Sequence, residues 1–287
     1  MSPQSPTPFS IHMFLLNGTP DGLKTVEVSN WEGMAIAGPN TRFDELRKRP
    51  EFEKTGVYVL TSQPEPDGLS RVYVGEGDPV ADRLVSHHKQ KEFWSVAVFF
   101  ISKGDNLNKA HVQYLESRLI SLANEAKRCI LENLNLPQLP NLSEADTAYV
   151  RVFLEQMLLI FGVLGISVFQ KPTGIAPSAQ LLYIRAKGGL TAIGYEADAG
   201  FVVRAKSESP KLPGPSLTDP VLKLRQALLT QGVFVEEKDR WRMTQDYTFN
   251  SPSLAASVML ARAANGRVGW KDEKGKSLKE IQEARLI

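Results

Sequence analysis

Between Gly56 and Glu116 the chain alternates short apolar runs with helix-forming stretches, an order that few folds accommodate. Val57 to Thr61 is a compact apolar run that reads as a strand. Gln63 to Gly68 carries two prolines and an Asp-Gly pair, the composition of a loop. Arg71 to Val74 reads as a second strand, and Gly75 and Gly77 behind it leave room for backbone to approach a ligand closely. Asp78 or Pro79 can start a helix running to about Lys91. Phe93 to Ile101 is strongly apolar and is expected to be a central buried strand. Asp105 to Asn108 can cap a long helix from Lys109 to about Arg128.

Polar residues recur inside this apolar frame. Arg83 and His87 stand four apart, so a helix puts them on one face. Glu116 shares a helical stripe with Val112, Leu119, Ile120 and Ala123. A carboxylate on a buried stripe is costly unless it is paired or bound to a metal. Two readings stay open here: an internal salt bridge, with Arg83 as a partner in reach, or a metal ligand.

The triplets Gly56-Val57-Tyr58 and Tyr73-Val74-Gly75 are each ordinary strand sequence by themselves. The ordered set of Tyr58, Tyr73, Arg83, His87 and Glu116 is more specific, and it resembles the GIY-YIG nuclease family. The resemblance covers about residues 56 to 135. It implies a metal-dependent endonuclease that hydrolyses phosphodiester bonds in DNA, with RNA left open as a substrate. Glu116 would be the single metal-binding carboxylate, and one oxygen ligand plus waters and substrate phosphate suits Mg2+ or Mn2+. Tyr58 would activate water, as a general base or as a relay to one. Tyr73 and His87 would share that relay, His87 having the residue type suited to proton transfer near neutrality. Arg83 would clamp the phosphate and help Tyr58, whose ordinary pKa is about 10, to act at neutral pH. An orienting asparagine falls to Asn133, with Asn135 competing and a simple turn-closing role as the alternative. One departure is Glu76, directly after the second triplet; it could bind another cation or hold Arg83. His88 points about 100° away from His87 on a helix and is left out. His111 either supports Glu116 or merely packs.

Around this segment, Ser10 to Leu16 and Leu23 to Val28 read as strands joined by Asn-Gly and Asp-Gly turns, and Thr41 to Arg49 as a short helix. Trp31 is expected to pack rather than to stack on a nucleic-acid base. Ser143 and Asp146 begin an amphipathic helix through about Phe161. Residues 171–179 form a Pro/Gly/Ser linker. Beyond it come strands at Leu181 to Ala186, Leu190 to Tyr195 and Phe201 to Lys206, a proline-rich loop from Ser207 to Pro220, a helix from Val221 to Gln231 and a hairpin at Val233 to Glu236 and Trp241 to Gln245. The end of the chain, with Ser251-Pro252-Ser253, Asn265-Gly266 and Trp270-Lys271, is similar to a C-terminal domain of uncharacterised role that recurs behind such nucleases, and to the RAMA module of restriction and modification enzymes. That likeness implies selection of a DNA substrate, not chemistry. Arg262, Arg267, Lys271, Lys274 and Lys276 make this end basic near Trp270, which a solvated charged face would also explain.

The expected architecture is α/β in the α+β sense. A small β-rich lead-in (1–50) precedes a three-stranded sheet flanked by helices (51–170) and a separate α+β C-terminal domain (179–287). The net charge of +2 carries no polycation signature, so a nucleic-acid partner must come from a local patch. The single cysteine, Cys129, excludes an internal disulfide framework and fits a reducing compartment. The first ten residues lack the basic and apolar regions of a signal peptide, and the apolar run from Met157 to Gly165 is too short to span a bilayer. A cytoplasmic protein without a membrane partner is expected. A non-cleaving nucleic-acid-binding protein of GIY-YIG descent is the main alternative, and an assembly subunit dominated by its C-terminal module a third.

Overall fold

The computed structural model describes residues 8–66, 68–171 and 179–285, with the side chains of His87, Lys89, Gln90 and Lys187 outside the description. The described residues divide into two compact units, one within 1–63 and 70–169, the other within 64–69 and 170–287. Most of the linker expected at 171–179 lies outside the described residues.

The first unit contains strands β1 (Ile11–Leu15), β2 (Lys24–Val28) and β3 (Gly33–Pro39), helix α1 (Phe43–Leu46), strands β4 (Gly56–Thr61) and β5 (Ser70–Gly77), helix α2 (Val80–Gln90), strand β6 (Val96–Ser102), helix α3 (Lys109–Ala126), strand β7 (Cys129–Leu131) and helix α4 (Glu144–Val163). One seven-stranded sheet runs β1-β2-β3-β6-β4-β5-β7. The sheet expected to hold three strands is therefore larger. The lead-in supplies β1 to β3, and β3 pairs antiparallel with β6 along its whole length. The sequence reading lacked β3 because Gly33, Ala35, Ala37 and Gly38 favour strands weakly, and burial nearly throughout removes the alternation that marks a half-exposed strand. β7, three residues long, pairs parallel with β5, and α2, β6 and α3 lie between them in sequence.

Period-two alternation sends each strand's side chains into two cores. Val57, Val59, Val72 and Val74 join Val112, Leu115 and Leu119 of α3 and Phe153, Met157 and Phe161 of α4 on one face. Tyr58 and Leu60 join Ile36, Phe99, Phe43, and Val80 and Leu84 of α2 on the other, with Tyr73 packed against them. Trp31 packs its ring 4.8 Å from Phe153, as its apolar bulk suggested. The Asn108 side chain caps α3 by accepting from the backbone N–H of His111 at 2.9 Å. The helix stops at Ala126 because Lys127 turns left-handed, at φ 57°.

The second unit contains β8 (Leu182–Arg185), β9 (Thr191–Ala197), β10 (Gly200–Val203), β11 (Glu208–Pro210), α5 (Asp219–Thr230), β12 (Phe234–Glu237), β13 (Arg240–Met243), β14 (Tyr247–Phe249), α6 (Pro252–Leu260), α7 (Gly266–Gly269) and α8 (Leu278–Ala284). The strands form two sheets, β14-β10-β9-β8 and β11-β13-β12. The fold is thus α+β. The proline-rich stretch from 207 contains β11, whose Ser209 is buried against Trp241 of β13 by register. Arg225 of α5 is also buried; its guanidinium donates to Ser209 Oγ at 2.7 Å and to the Pro210 carbonyl at 2.6 Å, and lies 4.5 Å from the Trp241 ring centre. Trp270 is 0% exposed: its ring lies 4.6 Å from Phe201 and its Nε1 donates to the Pro252 carbonyl. It is core, not part of a basic face. Among the described residues no helix is long and apolar enough to cross a membrane.

Candidate active site

Strands β4 and β5 pair antiparallel so that Tyr58 stands opposite Gly75 and Leu60 opposite Tyr73. The two tyrosine rings therefore share a face, their centres 6.3 Å apart and their planes tilted by 36°. Gly75 is required here. A Cβ on it would lie 2.4 Å from both Cζ and the hydroxyl of Tyr58, so only glycine admits that ring. The expectation that Gly75 and Gly77 open the backbone to a ligand is corrected accordingly. Gly75 makes room for Tyr58, and a Cβ on Gly77 would strike the Pro79 carbonyl and Val80 at the entry to α2.

Tyr58 is 0% exposed. Burial pushes its phenol far above the ordinary range, the Tyr73, Glu116 and Glu76 charges add to this, and Arg83 only partly opposes it. Arg83 thus lowers the phenol in the expected direction, but burial outweighs it. Tyr73 is half-buried. Its phenol is raised by burial first and by Glu116 next, while Arg83 and a hydrogen bond from Tyr58 lower it. Lys91 sits 4.3 Å from the centre of the Tyr73 ring, a cation–π contact that the sequence pattern did not reveal.

Glu116 lies in α3 and is half-buried. Its carboxyl is pushed up to about 7, by burial first and the Glu76 carboxylate second, against Arg83 and Lys109. Arg83 is exposed on α2. The structure contains no Arg83–Glu116 ion pair, and among the described residues no cation lies within ion-pair distance of Glu116. Of the two readings left open by the sequence, the internal salt bridge to Arg83 is absent. Glu76 does not hold Arg83 either. It is 6% exposed, and both of its oxygens accept from Lys109 Nζ at 2.7 Å.

Asn133 meets the opposite edge of β5. Its Oδ1 accepts from the Val74 N–H at 2.9 Å and its Nδ2 donates to the Val74 carbonyl at 2.8 Å. The side chain thus continues the β5–β7 ladder past Leu131, after Glu132 N–H has bonded to the Val72 carbonyl. Asn133 fixes the middle residue of the Tyr73-Val74-Gly75 triplet. Asn135 is exposed. The backbone of His87 lies in α2 with Arg83, and its side chain lies outside the described atoms. His88 stacks on Phe43 at 4.0 Å and is a packing residue. His111, 5% exposed, reaches Asp146 Oδ1 at 3.2 Å, and Ser143 Oγ donates to the other Asp146 oxygen at 2.7 Å. It ties the starts of α3 and α4 together.

Tyr58, Tyr73, Arg83 and Glu116 thus act on one another electrostatically, with Glu76 and Lys109 beside them. No cluster of three or more His, Cys, Asp or Glu side chains able to hold a metal occurs among the described residues. A cation at Glu116 would accordingly take its remaining ligands from water and substrate. The carboxylate fits such an ion: it is half-buried, lacks a paired cation and resists ionising alone.

The family described as a domain of unknown function (DUF4357) matches residues 182–282. No curated protein and no solved structure matches the chain.

Proposed function

We propose that the chain is a metal-dependent endonuclease of the GIY-YIG type that hydrolyses phosphodiester bonds in DNA, with the C-terminal unit selecting the substrate. The carrying observation is Glu116, a half-buried carboxylate without a paired cation among the described residues, within the field of Tyr58, Tyr73 and the exposed Arg83.

In this reading Glu116 would hold Mg2+ or Mn2+. Such an ion, when bound, would supply positive charge that neutralises the scissile phosphate and favours deprotonation of the attacking water. Arg83, exposed and free of any ion pair in the described structure, takes a phosphate oxygen and stabilises the charge that grows there. The Tyr58 hydroxyl donates to Tyr73, and Tyr73 would in turn relay to the attacking water. His87, one helical turn beyond Arg83, is the candidate acceptor for that water's proton. The water oxygen bonds to phosphorus as the P–O ester bond breaks, and the departing oxygen takes up a proton from solvent water. Lys109 neutralises Glu76, so that Glu116 is the carboxylate left for the cation. The buried single cysteine agrees with a reducing, cytoplasmic setting.

The test is conversion of supercoiled plasmid to nicked circles by the purified chain with magnesium or manganese, beside a chelator control. Chelator-sensitive nicking that collapses in Glu116→Gln, with DNA affinity in calcium retained, is the expected result. Near-normal nicking by that variant with an unchanged metal requirement would overturn the assignment of Glu116. Binding without nicking would favour the non-cleaving alternative.

A further inference from the structure

The seven-stranded sheet of the first unit ends on β1, and no described strand pairs with its outer side. The phase of its backbone follows from two bonds at its ends. The Leu16 N–H donates to the Leu23 carbonyl and the Ser29 N–H to the Ser10 carbonyl, both at 2.9 Å. Ser10 and Leu16 thus turn their peptide groups towards the β2 side. His12 and Phe14 between them do the same, because the direction of hydrogen bonding alternates along a strand. The peptide groups of Ile11, Met13 and Leu15 therefore point outwards. His12, Met13 and Phe14 are exposed, Phe14 by 65%.

An open sheet edge invites pairing with another chain, and proteins blunt such edges with charge, proline, brevity or a covering segment. Every other sheet edge among the described residues is blunted in one of these ways. β7 and β14 are three residues long. β11 carries Glu208 and Pro210, and β12 carries Glu236 and Glu237. On β8, Tyr183 exchanges N–H···O bonds with Lys271, at 2.7 and 3.0 Å. β1 is five residues long, Ile-His-Met-Phe-Leu, with no acid, lysine, arginine or proline. The sequence ahead of it makes a poor neighbouring strand, since Pro3, Pro6 and Pro8 have no N–H to donate.

We propose that β1 pairs antiparallel with β1 of a second copy of this chain, across a two-fold axis at Met13, so that one sheet runs through both copies of a dimer. The outward peptide groups fix this register. Only with Met13 opposite itself do Ile11, Met13 and Leu15 all meet outward groups of the other β1, and each such pair exchanges both of its N–H···O bonds. The side chains then match at every position. Ile11 stands opposite Leu15 of the second copy, His12 opposite its Phe14 and Met13 opposite its Met13, so aliphatic meets aliphatic, ring meets ring and no charge faces a charge. This self-match selects a second copy over a foreign strand. Pairing consumes the open edge of each copy, so assembly closes at the dimer.

Sedimentation of the purified full chain should show a monomer–dimer equilibrium that shifts with concentration. Met13→Lys and Met13→Glu each set like charges against one another at the axis, and each should weaken association about tenfold. Met13 is 43% exposed in the single chain, so both variants should fold, which their melting temperatures verify. Mixing the two variants sets opposite charges across the axis and should restore the dimer. Met13→Cys should cross-link the copies under mild oxidation, because the Cα atoms of a hydrogen-bonded pair lie about 5.5 Å apart, within disulfide reach. Phe14→Cys should not, because its counterpart lies diagonally across the axis, beyond that reach. A chain that stays monomeric at every accessible concentration, a dimer that both charge variants keep, or a mixture no more associated than its components overturns the proposal. Cross-linking by Phe14→Cys equal to that by Met13→Cys does so too. No readout depends on cleavage, so the pairing of β1 stands or falls apart from the nuclease reading.

Discussion

Asn133 holds Val74 by both of its peptide groups, Oδ1 accepting its N–H at 2.9 Å and Nδ2 donating to its carbonyl at 2.8 Å. The amide side chain takes the place of a neighbouring strand just where β7 has ended, and Val74 is 0% exposed. Tyr73 and Gly75 flank the residue so held. The geometry of both tyrosines in the site is thereby linked to a side chain almost sixty positions further along the chain.

Asn133→Ala should leave two buried backbone groups without partners, at about 1–3 kcal/mol each if water cannot reach them. Asn133→Asp should be as damaging at neutral pH, since a carboxylate oxygen would face the Val74 carbonyl. Protonation gives that carboxyl an O–H donor. The Asp variant should therefore regain stability as pH falls through the carboxyl range, while the Ala variant should not. Thermal melts of both variants from pH 4 to pH 8 check this.

The Glu116 carboxyl, raised from 4.5 to about 7, makes its own pH-dependent contribution. A carboxyl whose folded value exceeds its unfolded one binds more protons in the folded state. The folded state is therefore favoured at low pH, and that contribution is lost as pH rises from about 4.5 towards 7. Glu116→Gln, which stays neutral, should melt close to the wild-type chain at pH 5 and above it at pH 8 when no metal is present. Magnesium or manganese should narrow the gap at pH 8 by stabilising the wild-type chain alone. A gap that does not change with pH would contradict the burial of this carboxylate.

Lys109→Met should strand Glu76 as a carboxylate that is 6% exposed. The cost should be about 1–3 kcal/mol, below that of a fully buried pair, because the Lys109 side chain is 50% exposed and water can reach the ion pair. Adding Glu76→Gln should recover most of the loss. A denaturant-unfolding cycle over the two single variants and the double variant measures the coupling. Strict additivity would mean that the ion pair contributes nothing.

Arg83→Ala should separate activity from stability. Its guanidinium is exposed and makes no ion pair in the described structure, so its removal should change stability by no more than about 0.5 kcal/mol. Nicking should fall by about 100-fold or more, because a phosphate-clamping group acts chiefly in the transition state. Melting temperature and nicking rate are measured together. A large loss of melting temperature with proportionate loss of nicking would point to a structural role instead.

The residues themselves determined the frame. Apolar runs at Val57–Thr61 and around Phe99, the glycines after Tyr73, and the caps of α3 and α4 are local chemistry, and the chain obeys them. The α+β character follows from that local order, whereas the shared face of Tyr58 and Tyr73 depends on the register in which β4 meets β5. Long-range pairing was decided only in three dimensions. Strand β3 is nearly all buried and rich in glycine and alanine, so nothing in its own pattern distinguishes it; pairing with β2 and β6 makes it a strand and merges the lead-in with the main sheet. The partners of charged groups were equally illegible. Glu76 could have paired with Arg83, but the start of α3 brings Lys109 to it, and Glu116 is left without an ion-paired cation among the described residues. Asn133 was named for a role near the site, yet its grip on Val74 depends on β7 lying beside β5. Side-chain type and spacing are written along one chain. Burial, which raises Tyr58 and Glu116 away from their ordinary ionisation, exists only once distant segments close around them.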